Sequence, residues 1–112
     1  MFIPALLAWT ALQGATATDR PPASEIRAEG EATQSFIERG LRFYRQLHFQ
    51  AARQEFEKAV AADPSNAAAH FYLGYTLYKI GEPTRRLTPE KQQAREEFAR
   101  CFELDQSFRP VW

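Results

Sequence analysis

One cysteine, two histidines and no surplus of either charge leave this chain few means of doing chemistry. The lone Cys101 forms no disulfide within the chain, so cysteine supplies no oxidative framework and fits any compartment. Fourteen basic residues balance fourteen acidic ones, which removes both the basic excess that nucleic acid attracts and the acidic excess of a solvating tail. His48 and His70 are the only histidines, and no cluster of acids or cysteines brings either toward the three or four ligands a metal needs. A cysteine nucleophile requires a neighbouring base and a lowered pKa, and Cys101 reads instead as a small buried hydrophobe. Glu55, Glu57, Glu96 and Glu97 read as solvated helix faces. No Gly-rich phosphate loop and no serine elbow occurs. The expectation is a protein that is not an enzyme, with no cofactor, no metal and no nucleic-acid partner, folded as one small domain of 112 residues.

Long apolar runs are scarce as well. Residues 1–17 carry no charge and include Phe2, Ile3, Leu6, Leu7, Trp9 and Leu12, but this is short of the ~20 residues that cross a bilayer. The run ends in Ala15-Thr16-Ala17, a small-x-small sequence of the kind signal peptidase cuts. It reads as an export signal cleaved after Ala17, giving a periplasmic or extracellular protein, although no basic residue precedes it. The alternatives are an uncleaved anchor that keeps the chain near a membrane, or an apolar N-terminal helix of a cytoplasmic protein. No cysteine follows the run, which excludes a bacterial lipoprotein anchor.

What the chain does have is helical spacing. Residues 18–32, with Pro21-Pro22 and Gly30, read as a flexible linker, and Ser24 is a plausible cap for a helix that follows. Phe36, Gly40 and Phe43 share one face of a helix predicted over 33–46. Phe49, Ala52, Phe56, Ala59 and Val60 make the stripe of a second over 49–62, stopped by Asp63-Pro64. Asn66 caps a third over 67–80, for which Gly81 is the natural C-cap. Thr88-Pro89-Glu90 reads as cap, first-turn proline and first-turn acid, opening a fourth helix over 89–104.

Gly40 and Gly74 stand 34 residues apart, within the same pattern of large and small residues. That is the period of a helix–turn–helix repeat. Phe36, Gly40, Phe43, Ala52, Phe56, Ala59 and Pro64 resemble the tetratricopeptide repeat in one unit; Leu73, Gly74, Gly81, Ala94 and Phe98 resemble it in the next. Arg39 stands where leucine is usual, His70 and Gln106 depart, Cys101 replaces a small alanine, and eight residues are inserted between the third and fourth helices. The resemblance implies an all-α, antiparallel helix-turn-helix array: repeat 1 over 33–66, repeat 2 over 67–106, and 107–112 as a tail or the start of a third unit. Trp112 falls at that unit's bulky first position. The end of the array is then uncovered, or covered by the chain itself, its N-terminal segment or a partner.

In this family the first helices of the units line a concave groove. The resemblance therefore implies that Ile37, Leu41, Tyr44 and Arg45, with Phe71, Tyr75, Tyr78 and Lys79, face a protein or peptide partner. The alternative is that they pack into the core or against the N-terminal segment. The family's clamp for a C-terminal carboxylate uses Lys and Asn at places that here hold Ile37, Leu41 and Tyr72, so that activity is not implied. Arg85 and Arg86 in the insert suit an anionic partner or a solvated loop. The reading is a non-catalytic interaction module or scaffold. Its rivals are a structural protein that self-assembles into a homo-oligomer through its uncapped C-terminal end, and an enzyme accessory built around Cys101.

Overall fold

The computed structural model describes residues 23–112, with side chains from residue 30 onward; the expected signal at 1–17 lies outside the described residues. Four helices follow in order: α1 over Ala23–Arg45, α2 over Phe49–Ala62, α3 over Ala67–Gly81 and α4 over Pro89–Leu104. The described residues contain no strand. Each helix packs on the next, α1 touches α3 lightly, and α1 does not reach α4. This nearest-neighbour order is that of a stacked array. No described helix is long and apolar enough to cross a membrane.

The core forms where small residues let helices approach. Ala52, Phe56 and Ala59 of α2 are fully buried, as are Ala69 and Leu77 of α3, with Leu73 of α3 and Ala94 of α4 close behind. Gly40 holds α1 against α2: a Cβ there would collide with the Phe56 ring. Gly74 does the same for α3 and α4, where a Cβ would meet the Phe98 ring at 3.1 Å and the Ala94 carbonyl at 3.2 Å. Ridges can seat this closely only where the side chain is missing.

The repeat is visible in the turns as well. Ser65 donates to the Asp63 carboxylate from its backbone N–H at 3.1 Å and from its hydroxyl at 2.7 Å. Ser107 does so to Asp105 at 3.0 and 2.8 Å. The Asp63 N–H bonds the Ala59 carbonyl and the Asp105 N–H bonds the Cys101 carbonyl. Cys101 therefore stands in α4 where Ala59 stands in α2, 42 residues on: one 34-residue period plus the insert.

Several expectations are corrected. The segment expected as a flexible linker over 18–32 is helical from Ala23, because the one breaker between Ala23 and Thr33 is Gly30. An exposed glycine costs a helix about 1 kcal/mol without ending it. Gly81 is not a left-handed cap: among the described residues no glycine has a positive φ, and Gly81 is the last residue of α3. Its smallness is what counts, since a Cβ would fall 2.9 Å from Lys91 Cγ and 3.0 Å from Thr88 Oγ1. Among the described residues the left-handed one is Leu47 (φ 63°), between α1 and α2. There the His48 N–H bonds the Phe43 carbonyl and the Leu47 N–H bonds the Tyr44 carbonyl, both at 2.9 Å, which is the Schellman pattern. The caps at Asn66 and Thr88 form as read, accepting from the Ala69 and Lys91 N–H groups at 3.0 and 3.2 Å. The insert is closed by Lys91, whose Nζ donates to the carbonyls of Thr84 and Arg86.

Candidate functional site

The first helices of the two units, α1 and α3, present a row of rings on one face. Tyr44 of α1 lies 6.0 Å from Tyr75 of α3, edge to face; Tyr75 stacks on Phe71 at 6.2 Å and tilts against Tyr78 at 6.2 Å. The spacing of 71, 75 and 78 by four and three puts these side chains on one stripe of α3. Lys79 stands over the Tyr75 ring at 5.8 Å and pairs with Glu82 at 3.2 Å. The Glu82 hydrogen bond and charge raise the Lys79 ammonium above its ordinary value. Burial, then neighbouring Tyr75, pushes the Tyr44 phenol up as well, against an opposing pull from Lys79.

Of the eight residues expected on this face, Tyr44, Phe71, Tyr75 and Tyr78 are brought together. Arg45 is exposed at the end of α1, and Leu41 is half-buried against the core. Ile37 does not belong to the surface. It is only 3% exposed and sits in the core cluster with Ala52 and Phe56. A helix in an array is flanked on more than one side, and Ile37 lies on the stripe that packs rather than the one that opens.

The face is not bare. After the turn at Asp105–Ser107 the chain runs without helix to Trp112. Arg109 precedes Pro110, which disfavours helical backbone and keeps the segment extended. Trp112 stacks on Tyr44 (4.8 Å, interplanar angle 23°) and contacts Tyr75 and Tyr72 at 5.1 Å and Phe71 at 6.2 Å. Phe108 seats between Phe71 and Tyr72, at 5.4 and 6.1 Å. The buried Tyr72 hydroxyl donates to the Val111 carbonyl at 3.0 Å and accepts from the Val111 N–H at 2.9 Å. A phenol has one proton to give and lone pairs to receive, so this single group satisfies both halves of one residue's backbone. Trp112 keeps 45% of its surface in water. Tyr72 and Trp112 are thus central to the site, although sequence reasoning took Tyr72 only as a groove position where the family's clamp is missing and Trp112 only as part of the uncapped end. The usable signal was that a buried tyrosine needs a partner for its hydroxyl.

The remaining candidates are structural. Cys101 is buried, and burial together with Asp105 holds its thiol above the usual range, the opposite of what a nucleophile needs. Glu97 is not a solvated carboxylate: it bonds buried His70 Nδ1 at 2.6 Å, while His70 Nε2 bonds the Pro64 carbonyl at 2.6 Å. Among the described residues no group of acids, histidines and cysteines is placed to hold a metal. Arg39 spans from α1 to Glu55 of α2 at 3.3 Å, with its guanidinium over the Phe36 ring. Arg85 and Arg86 are exposed in the insert.

Comparison with known proteins agrees with this geometry. The sequence profile of the tetratricopeptide repeat matches residues 37–100, more than half of the chain. Neither a curated protein nor a solved structure matches it. The glycine–phenylalanine crossings, the paired Asp-Ser turns and the profile match lead to one conclusion: this chain belongs to the tetratricopeptide repeat family.

Proposed function

We propose that the aromatic face of α1 and α3 is a docking surface for a segment of a partner protein, and that the chain acts as a non-catalytic interaction module. Repeats of this family generally mediate protein–protein contacts. The observation that carries the reading for this chain is Trp112, already held by peptide-like contacts among Tyr44, Tyr72 and Tyr75. Aromatic rings are common anchors of binding energy, and here they are gathered where a guest side chain can enter. The test is co-purification on residues 18–112 as bait, beside a bait with Tyr75→Ala and Tyr78→Ala. A partner retained by the first and lost by the second supports the reading; one retained equally by both refutes it.

A second reading, self-assembly, is favoured by one feature. A pocket of about 320 Å³ lies at the C-terminal end of the array, lined by Phe71, Phe98, Phe102 and Phe108 among others. Phe102 is 61% exposed beside it. In this reading, Phe102→Asp abolishes a dimer seen by sedimentation; a chain that sediments as a monomer at every concentration removes it. Export is proposed on the apolar residues 1–17 alone. N-terminal sequencing of the mature protein should begin at Thr18, and an intact Met1 overturns it.

A further inference from the structure

We infer that the docking face takes an extended peptide carrying an aromatic side chain directly after a residue with a free backbone N–H, and that residues 108–112 of this chain are its built-in competitor. The inference rests on the docking reading proposed above. The occupied site defines the guest. Trp112 supplies the aromatic anchor against Tyr44 and Tyr75. Val111 supplies the backbone N–H and carbonyl that both bond the Tyr72 hydroxyl. A helical guest offers no such pair, because within a helix both its N–H and its carbonyl are used. An extended strand leaves them free, and backbone recognition with one side-chain pocket is a recurring way to hold such a segment. Pro110 is acceptable at the preceding place, since the contact needs no N–H there, whereas a proline at the Val111 place removes the donor.

Competition follows from connectivity. The tail is tethered to α4 by the short turn at Asp105–Ser107, so its local concentration at the face is on the order of millimolar. A free segment must displace it, and the apparent affinity falls accordingly.

The experiment uses the full chain and a fluorescein-labelled, end-blocked peptide of sequence Ser-Phe-Arg-Pro-Val-Trp, followed by anisotropy. Trp112→Ala empties the anchor position without touching the helices. This variant is expected to bind the peptide about ten-fold or more tightly than the unaltered chain. Adding Tyr72→Phe, or replacing the peptide's valine by N-methylvaline, should weaken binding about ten-fold while the helical circular dichroism stays unchanged. Equal affinity for the variant and the unaltered chain overturns the competitor. Insensitivity to both Tyr72→Phe and N-methylation overturns the backbone reading. A stapled helical peptide bearing Trp and Phe four residues apart is run alongside. If it binds the Trp112→Ala chain and the extended peptide does not, the docking face stands and this inference falls. If neither binds, both fall. Dimers that form only with Trp112 intact identify a second copy as the guest and overturn the tethered competitor.

Discussion

At Gly40 the absence of one carbon decides whether α1 can touch α2, because the Phe56 ring occupies the space a Cβ would need. Gly30, in the same helix, has nothing within 4 Å of the equivalent position. The two glycines therefore respond oppositely to alanine. Gly30→Ala should stabilise by about 0.5–1 kcal/mol through helix propensity, and Gly40→Ala should destabilise by about 1–3 kcal/mol through overpacking. Urea denaturation checks both, and a Gly40→Ala midpoint at or above the unaltered value contradicts the crossing. Leu47 is 71% exposed in the left-handed region, so Leu47→Gly gives up little packing and relieves a strain of about 1–2 kcal/mol. The greater freedom of glycine in the unfolded chain offsets part of that, and a melt should still show a small net gain. Cys101 and Tyr44 tie stability to alkaline pH. Both are neutral when protonated, and both are held above their ordinary values of 9.0 and 10.0. The folded chain therefore keeps these protons after the unfolded chain has released its own. The stability they contribute is complete below those values and is lost as pH rises through them toward the raised folded values. Denaturation midpoints should fall above about pH 9, and a midpoint that rises there contradicts both assignments.

At the level of elements, much of the architecture was legible because its signals are local. The spans of α2 and α4 follow from their apolar spacing and their stop and start residues, and the caps at Asn66 and Thr88 form as their side chains dictate. What escaped was decided at a distance. The length of α1 was obscured by Gly30 and the prolines before it, which read as linker where neighbouring Ala and Glu carry the helix through. Gly81 was read by its usual role at helix ends, whereas the insert turns the chain so that Lys91 and Thr88 press on it. Ile37 has the same spacing as the surface residues around it, and only the packing of α2 and α3 shows that it is core. The bond from His70 to Glu97 spans 27 residues, so no local pattern announces it. It ties α3 to α4, and His70 also holds the Pro64 carbonyl in the turn before α3. His70→Ala leaves Glu97 half-buried without its partner and should cost on the order of 3 kcal/mol. Replacing both residues by leucine should recover much of that loss. Thermal melts distinguish the outcomes, and a single variant as stable as the unaltered chain contradicts the tie.

On the scale of the whole molecule, two units stack through α2 and α3, where Phe56 and Tyr72 lie with ring centres 5.6 Å apart. The same α3 then meets the tail on its other flank, so Tyr72 joins the core, the second unit and residues 108–112 in one side chain. The shared face of α1 and α3 is the one proposed for docking, and the tail's place there was the least legible feature of all. The period puts Trp112 at the head of a third unit, whereas residues 108–112 run without helix and Trp112 lies across the face instead. The most direct test is to make Trp112 the sole tryptophan with Trp9→Phe and to measure its emission and its quenching by iodide. The account predicts partial shielding and energy transfer from Tyr44, with both reduced by Tyr44→Ala. Emission and quenching equal to those of free tryptophan, unchanged by Tyr44→Ala, would contradict it.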